Sequence, residues 1–227
     1  MMRSADARPA DALVHVVDDD EAVRDSLRWL LEANGFQAIT YDSAEAFLRT
    51  ADQSLARNPV ACLILDVRMP GMSGLELQEE LLRRGVTMPL VFITGHGDVP
   101  MAVSSMKRGA VDFLEKPFHD AHLCATVREC LAHSAAQQRD DEAGRQALTR
   151  LERLTQRERQ VLGLIVAGRL NKQIADDLGI SIKTVEAHRA NIMDKLAART
   201  MADLMKTALL AGSGPRGRPD DLVDPTR

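Results

Sequence analysis

The sequence predicts a doubly wound α/β domain on five parallel strands, followed by a small all-α domain carrying a helix-turn-helix. Three observations carry that reading. Five short apolar runs alternate with amphipathic stretches up to about residue 134, the pattern of repeated βα units. Beyond residue 150 only helical periodicity remains. The charge also changes sign: residues 11–133 hold 19 acidic and 11 basic side chains, whereas residues 151–211 hold 7 and 10. At 227 residues the chain is long enough for two modest domains.

The strand candidates are 13–17, 37–41, 61–65, 90–93 and 111–114. Three of them are continuous β-branched or Leu runs, as expected of parallel strands buried on both faces. Between the first two, Val23, Leu27, Leu30 and Leu31 recur at helical spacing and stop at Asn34-Gly35, a C-cap signal. Such units imply an open sheet, here assigned to residues 12–134. Residues 135–150 (AAQQRDDEAGRQALTR) are polar and nearly free of large apolar groups. They read as an exposed helical or semi-flexible linker. Thr155 and Glu158 form a T-x-x-E capping box at the start of the second domain, residues 151–211. Its first helix carries Val161, Leu162, Ile165 and Val166, and its second carries Ile174, Ala175 and Leu178 up to Gly179. Ser181 caps a third, with Ile182, Val185, Ile192, Met193 and Leu196 expected inward, and a fourth bears Leu204, Met205, Ala208 and Leu209. Residues 212–227 carry Gly, Pro and charge with little to bury, so disorder is expected there.

Composition removes several function classes. Three cysteines, Cys62, Cys124 and Cys130, form no CxxC pair, against a disulfide scaffold or zinc ribbon and in keeping with a cytoplasmic setting. No apolar stretch approaches the ~20 residues of a membrane span. The first eleven residues lack a continuous apolar run, so no secretory signal is expected. Five Phe, one Trp and one Tyr are too few for stacking platforms on single-stranded nucleic acid. His119, His122 and Cys124 are close in sequence but do not share one helix face, which disfavours a metal site. His96 falls in the loop after the fourth strand and acquires no role.

In a doubly wound sheet, ligands sit beyond the carboxyl ends of the strands where strand order reverses. That rule selects Asp18, Asp19 and Asp20 after the first strand, Asp66 ending the third, Thr94 after the fourth and Lys116 after the fifth. Asp20 is expected to cap the following helix. Singly, each of the others has an ordinary use as a turn or surface residue; their joint placement is what carries weight. Clustered carboxylates repel by roughly 4 kcal/mol per pair at about 4 Å with an effective dielectric near 20, so they call for a cation. Mg²⁺ suits a site with few carboxylates plus phosphate. Asp66 is then available as a nucleophile forming an aspartyl phosphate, with Thr94 and Lys116 holding the other phosphoryl oxygens.

On the third helix of the second domain, Lys183, Thr184, Glu186, Ala187, His188, Arg189, Ala190 and Asn191 form a polar, small-residue face. Such a face suits close entry into a major groove, although a polar exposed face is also the default for any small bundle.

The strings VHVVDDDEAVR, LILDVRMPGMSGLEL, VFITGHGDVPMAV and GAVDFLEKPF closely resemble the receiver domain of bacterial response regulators, over about residues 13 to 133. GHGDVPMAV and EKPF look like the FixJ branch. The strings LTQRERQVLGLIVAG, LNKQIADDLGIS and KTVEAHRANIMDKL resemble the LuxR/FixJ-type helix-turn-helix domain over residues 149 to 211. The resemblance implies a flavodoxin-like receiver with Asp66 as phosphoacceptor, phosphorylated by a sensor histidine kinase. It implies that Asp18, Asp19, Asp66 and the backbone carbonyl of Arg68 hold Mg²⁺. Thr94 and Phe113 would be the switch pair, and Lys116 the phosphate partner before a cis bond to Pro117. The receiver would assist its own phosphorylation and dephosphorylation and would not be a metabolic enzyme. Lys172, Lys183, Thr184 and Arg189 fall at phosphate- or groove-facing positions, and Glu186, Ala187 and Ala190 at base-reading ones. Glu186 either accepts from cytosine or orients Arg189. A homodimer on phosphorylation, double-stranded promoter DNA and RNA polymerase are the further partners implied, with activation of transcription the family habit and no membrane association.

Two rivals fare worse. A phosphohydrolase built on Asp66 would want a second acid two residues on to protonate the leaving group, and Arg68 stands there. A small-molecule sensor would need a sizeable apolar pocket, not a crowded acidic mouth. A third alternative keeps both domains but has the receiver act on DNA without phosphorylation.

Overall fold

A computed structural model describes residues 12–57, 60–95 and 99–212. The readings made above for the first eleven residues, for His96 and for the tail after Gly212 lie outside them. The chain forms two compact units that divide between Gln138 and Arg139.

In the first unit the order is β1 (Leu13–Val17), α1 (Glu21–Ala33), β2 (Gln37–Tyr41), α2 (Ala44–Arg57) and β3 (Ala61–Asp66). Then follow α3 (Gly74–Arg83), β4 (Leu90–Thr94), α4 (Val99–Lys107), β5 (Asp112–Glu115) and the start of α5 (Asp120–Glu152). The strands pair in the order β2-β1-β3-β4-β5, all parallel. Every residue of β1, β3 and β4 is buried, which explains their unbroken apolar runs. Because strand side chains alternate, the sheet feeds two cores. Val14, Val16, Cys62, Ile64, Val91 and Ile93 pack with Leu27 and Leu31 of α1 and Leu123, Val127 and Leu131 of α5. Val17, Leu63, Leu65 and Phe92 pack with Phe47 of α2 and Leu77 and Leu81 of α3 on the other face. Helix ends follow the sequence signals: Asp20 accepts from Ala22 N at 2.8 Å to cap α1, and Gly35 turns the chain at φ 77°.

Strand ends differ slightly from expectation. Asp66 and Thr94 are the last residues of β3 and β4, and β5 starts at Asp112, not at 111. The register Asp66↔Ile93 and Thr94↔Glu115 keeps the backbone of both residues within the ladder.

The second unit holds α6 (Gln156–Val166), α7 (Asn171–Leu178), α8 (Ile182–Lys195) and α9 (Met201–Gly212) around Val161, Leu162, Ile174, Val185, Ile192, Leu196 and Leu204. Residues 135–150 are helical throughout, within α5. They are not uniformly exposed: Ala147 is buried in the second core, and Gly144 is buried where a Cβ would lie 3.6 Å from the Leu210 carbonyl oxygen. Apolar content alone missed this because small residues let helices approach closely without adding hydrophobicity. Ile182, expected inward, is exposed. It occupies the first position of α8, where no preceding turn carries it over the core. On α9, Leu204 and Ala208 are buried while Leu209 is exposed.

Candidate functional site

Strand order reverses between β1 and β3, and the candidate pocket lies at their carboxyl ends. Asp18 follows β1 directly, and its Oδ1 accepts from Asp20 N at 2.9 Å, which fixes the carboxylate. Asp66 ends β3 with Oδ2 accepting from Arg68 N at 2.7 Å. Lys116 reaches across from beyond β5. Its Nζ donates to Asp18 Oδ2 at 2.7 Å and to Asp66 Oδ1 at 3.0 Å, and the Lys116-Pro117 bond is cis. One ammonium therefore gathers a carboxylate from each of two neighbouring strands.

Burial is the larger influence on Asp66 and raises its pKa above the ordinary carboxylate value, although Lys116 and the Arg68 N–H pull the other way. For Lys116, burial opposes the charged form. Hydrogen bonds to Asp18 and Asp66, with their charges, outweigh it and raise the ammonium's pKa. The resting pocket is thus a partly dehydrated carboxylate held against a firmly protonated amine.

Thr94 is buried at the end of β4, and Lys116 N donates to its main-chain oxygen at 2.8 Å. Phe113 is half-buried on β5, its ring centroid 6.0 Å from that of Phe92. Asp19 is exposed. Among the described residues no three His, Cys, Asp or Glu side chains are placed to share a metal ion. The donor set that converges is two carboxylates, from Asp18 and Asp66. It fits Mg²⁺, which takes one or two protein carboxylates and fills its octahedron with water and phosphate oxygens.

Three supports of the pocket escaped the sequence. Arg24 Nη1 donates to the carbonyls of Asp18 and Asp19 at 2.8 and 2.9 Å, clamping the loop after β1. Glu45 Oε1 accepts from Met72 N at 3.0 Å, bracing the loop after β3 where Gly71 sits at φ 75°. Gly74 opens α3, and a Cβ there would collide with the Asp66 carbonyl oxygen. The two glycines so soon after Asp66 were the only available signal.

In the second unit, α7 and α8 are joined through Gly179 in the left-handed conformation (φ 64°), and Ser181 caps α8 by accepting from Thr184 N at 3.0 Å. Val185, Ile192 and Leu196 anchor α8. Lys183, Thr184, Glu186, Ala187, Ala190 and Asn191 are exposed, as is Lys172 in the first turn of α7, while His188 and Arg189 are half-buried. A helix anchored on one side, with small and hydrogen-bonding groups on the other, has the form of a recognition helix.

A doubly wound receiver-type domain joined to a helix-turn-helix domain is the make-up of a response regulator that acts on transcription. Residues 14–128 match the response regulator receiver domain, and residues 152–208 match the luxR family of bacterial regulatory proteins. The transcriptional regulatory protein FixJ of Azorhizobium caulinodans is 52% identical over 207 residues, covering 91% of this chain and 96% of that protein. FixJ of Rhizobium meliloti is 48% identical, covering 90% and 98%. Among solved structures, the low-resolution structure of response regulator StyR has a TM-score of 0.76 at 46% identity, covering 88% of this chain and 99% of that one. Full-length FixJ from B. japonicum gives 0.52 at 40%, covering 88% and 97%. The chain belongs to the response-regulator family with a luxR-type DNA-binding domain; it is a transcription factor of the two-component type and not a metabolic enzyme. No helix among the described residues is long and apolar enough to cross a membrane.

Proposed function

We propose that Asp66 accepts a phosphoryl group from a sensor histidine kinase and that the modified protein dimerises and binds promoter DNA through α8. The observation that carries this is Lys116 Nζ lying within hydrogen-bond distance of both Asp18 and Asp66. A carboxylate oxygen of Asp66 attacks phosphorus as the bond to the donor's nitrogen, or to oxygen in acetyl phosphate, breaks in line. Lys116 exchanges one of its carboxylate contacts for a phosphoryl oxygen. Asp18, Asp19, Asp66 and the Arg68 carbonyl would hold Mg²⁺. An ion held there would supply charge neutralisation for the transferring group and the carboxylates.

The new charge and oxygens draw the Thr94 hydroxyl inward and let the Phe113 ring rotate, biasing a two-state surface over α4 and β5 toward dimerisation. Lys172, Lys183, Thr184 and Arg189 face phosphate or the groove. Ala187 and Ala190 meet base edges, Glu186 either accepts from a base or orients Arg189, His188 and Asn191 complete that face, and a dimer addresses half-sites about one turn apart. Recruitment of RNA polymerase, activation and a cytoplasmic setting complete the reading; the three free, buried cysteines agree with a reducing compartment.

The test is acetyl phosphate with Mg²⁺, followed by sedimentation. A labile adduct on Asp66 and a shift toward dimer are expected, both lost in Asp66→Asn. An acid-stable adduct, an adduct elsewhere, or unchanged dimerisation and DNA affinity in Asp66→Asn would overturn the proposal.

A further inference from the structure

Gln78 is buried in α3. Its Nε2 donates to the main-chain oxygen of Ser105 in α4 at 3.2 Å, while its Oε1 meets no partner among the described residues. The Ser105 oxygen already accepts from Arg108 N and Ala110 N, each at 3.1 Å. These bonds close α4 around Gly109 at φ 94°. Beside them the Arg108 guanidinium pairs with Glu79 of α3. The C-terminal end of α4 is therefore tied to α3 by a buried amide and an ion pair.

The rest of α4 is lightly seated. Among its described side chains only Ser105 is buried; Met101, Ala102 and Ser104 are half-buried, and Val103 and Met106 are exposed. Packing does not require an amide at position 78. A methionine of similar length would fill the space, remove the unpaired acceptor, and leave the Ser105 oxygen its two main-chain donors.

β4 ends at Thr94 and α4 begins at Val99, so four residues of chain join Thr94 to the N-terminal end of α4. Resting on the reading of Asp66 as phosphoacceptor, we propose that Gln78 is a positioning residue that pins the C-terminal end of α4 to α3. Movement at Thr94 then becomes a tilt of α4 about that end, and a loose helix would dissipate it.

The experiment uses the full chain with acetyl phosphate and Mg²⁺, unsubstituted and as Gln78→Met. Phosphoryl occupancy, sedimentation and urea stability are measured on matched samples. Fluorine NMR of fluorophenylalanine-labelled protein follows Phe113. Gln78→Met is expected to phosphorylate and shift its Phe113 signal as the unsubstituted protein does, with stability equal or higher. Its dimer dissociation constant at equal occupancy should rise by about tenfold. Dimerisation equal to that of the unsubstituted protein at equal occupancy overturns the pivot alone. Should Gln78→Met misfold, Arg108→Ala decides: several-fold weaker dimerisation at equal occupancy supports the pivot, and none overturns it. Phosphorylation of the unsubstituted protein without dimerisation overturns the proposed function, and the pivot with it.

Discussion

Lys195 Nζ of α8 lies 2.7 Å from Glu158 Oε2 of α6, and that carboxylate oxygen also accepts from Thr155 N at 2.8 Å. One buried carboxylate thus caps α6 and ties it to the far end of the recognition helix. Burial pushes the Glu158 pKa up. Hydrogen bonds from Lys195 and Thr155, with the lysine's charge, more than offset this and leave it below the usual Glu value. Removing one partner of a buried pair leaves the other uncompensated. Glu158→Ala should cost about 3 kcal/mol, moderated because Lys195 keeps some contact with water. Urea denaturation of the full chain followed by helical circular dichroism measures it. The depressed pKa means this contribution is present above the ordinary carboxylate value and lost as pH falls through the folded one.

Gly74 touches the site through the backbone. A Cβ there would strike the carbonyl oxygen of Asp66, and Gly74 N donates to Val67 O at 3.0 Å, so the loop has little room to yield. Gly74→Ala should destabilise the first unit by about 2 kcal/mol and slow acetyl-phosphate labelling of Asp66. Labelling at the unsubstituted rate would show that the loop relaxes without disturbing the carboxylate.

His15 lies wholly buried in β1, with Nδ1 3.0 Å from the Tyr41 hydroxyl and Nε2 unpartnered among the described residues. Its ring stacks on Tyr41 and meets Phe47 edge-on. Burial lowers its pKa from 6.5 to about 4. The unfolded chain therefore binds the proton first, and stability is lost as pH falls from about 6.5 through about 4. The loss from this residue approaches about 3 kcal/mol. His15→Phe should flatten the stability profile across that range; an unaltered profile would place the titration elsewhere.

Arg189 is half-buried on α8 beside the exposed Ala190. If its guanidinium neutralises a phosphate, Arg189→Ala should weaken DNA binding evenly across sequences and reduce the salt slope by about 1. A base-specific loss with the slope intact would move it from the backbone contacts to the readers.

The pocket was legible because its members stand at or just beyond the ends of strands. Asp18, Asp66 and Thr94 stand where buried strands stop and Lys116 directly follows the half-buried β5, and parallel pairing brings those ends to one edge. The supports were not legible. Arg24, Glu45 and Gln78 are ordinary polar helix residues in the sequence, and only side-chain direction decides that each reaches a particular backbone group. Ile182 misled for a related reason: periodicity assigns a face, but the first turn of a helix can project past its core.

The sequence by itself determined the two-domain plan, the parallel sheet and the opposed charges. Those follow from local periodicity and composition, and a net charge of −4 proved to be the sum of opposed contributions from an acidic receiver and a basic DNA-binding domain. Tertiary structure alone decided that Lys116 spans Asp18 and Asp66, that Gln78 donates to the Ser105 main-chain oxygen, and that Ala147 is buried in the second core. Contacts between residues 27 to 98 positions apart depend on where strands and helices come to rest, and no local pattern encodes that.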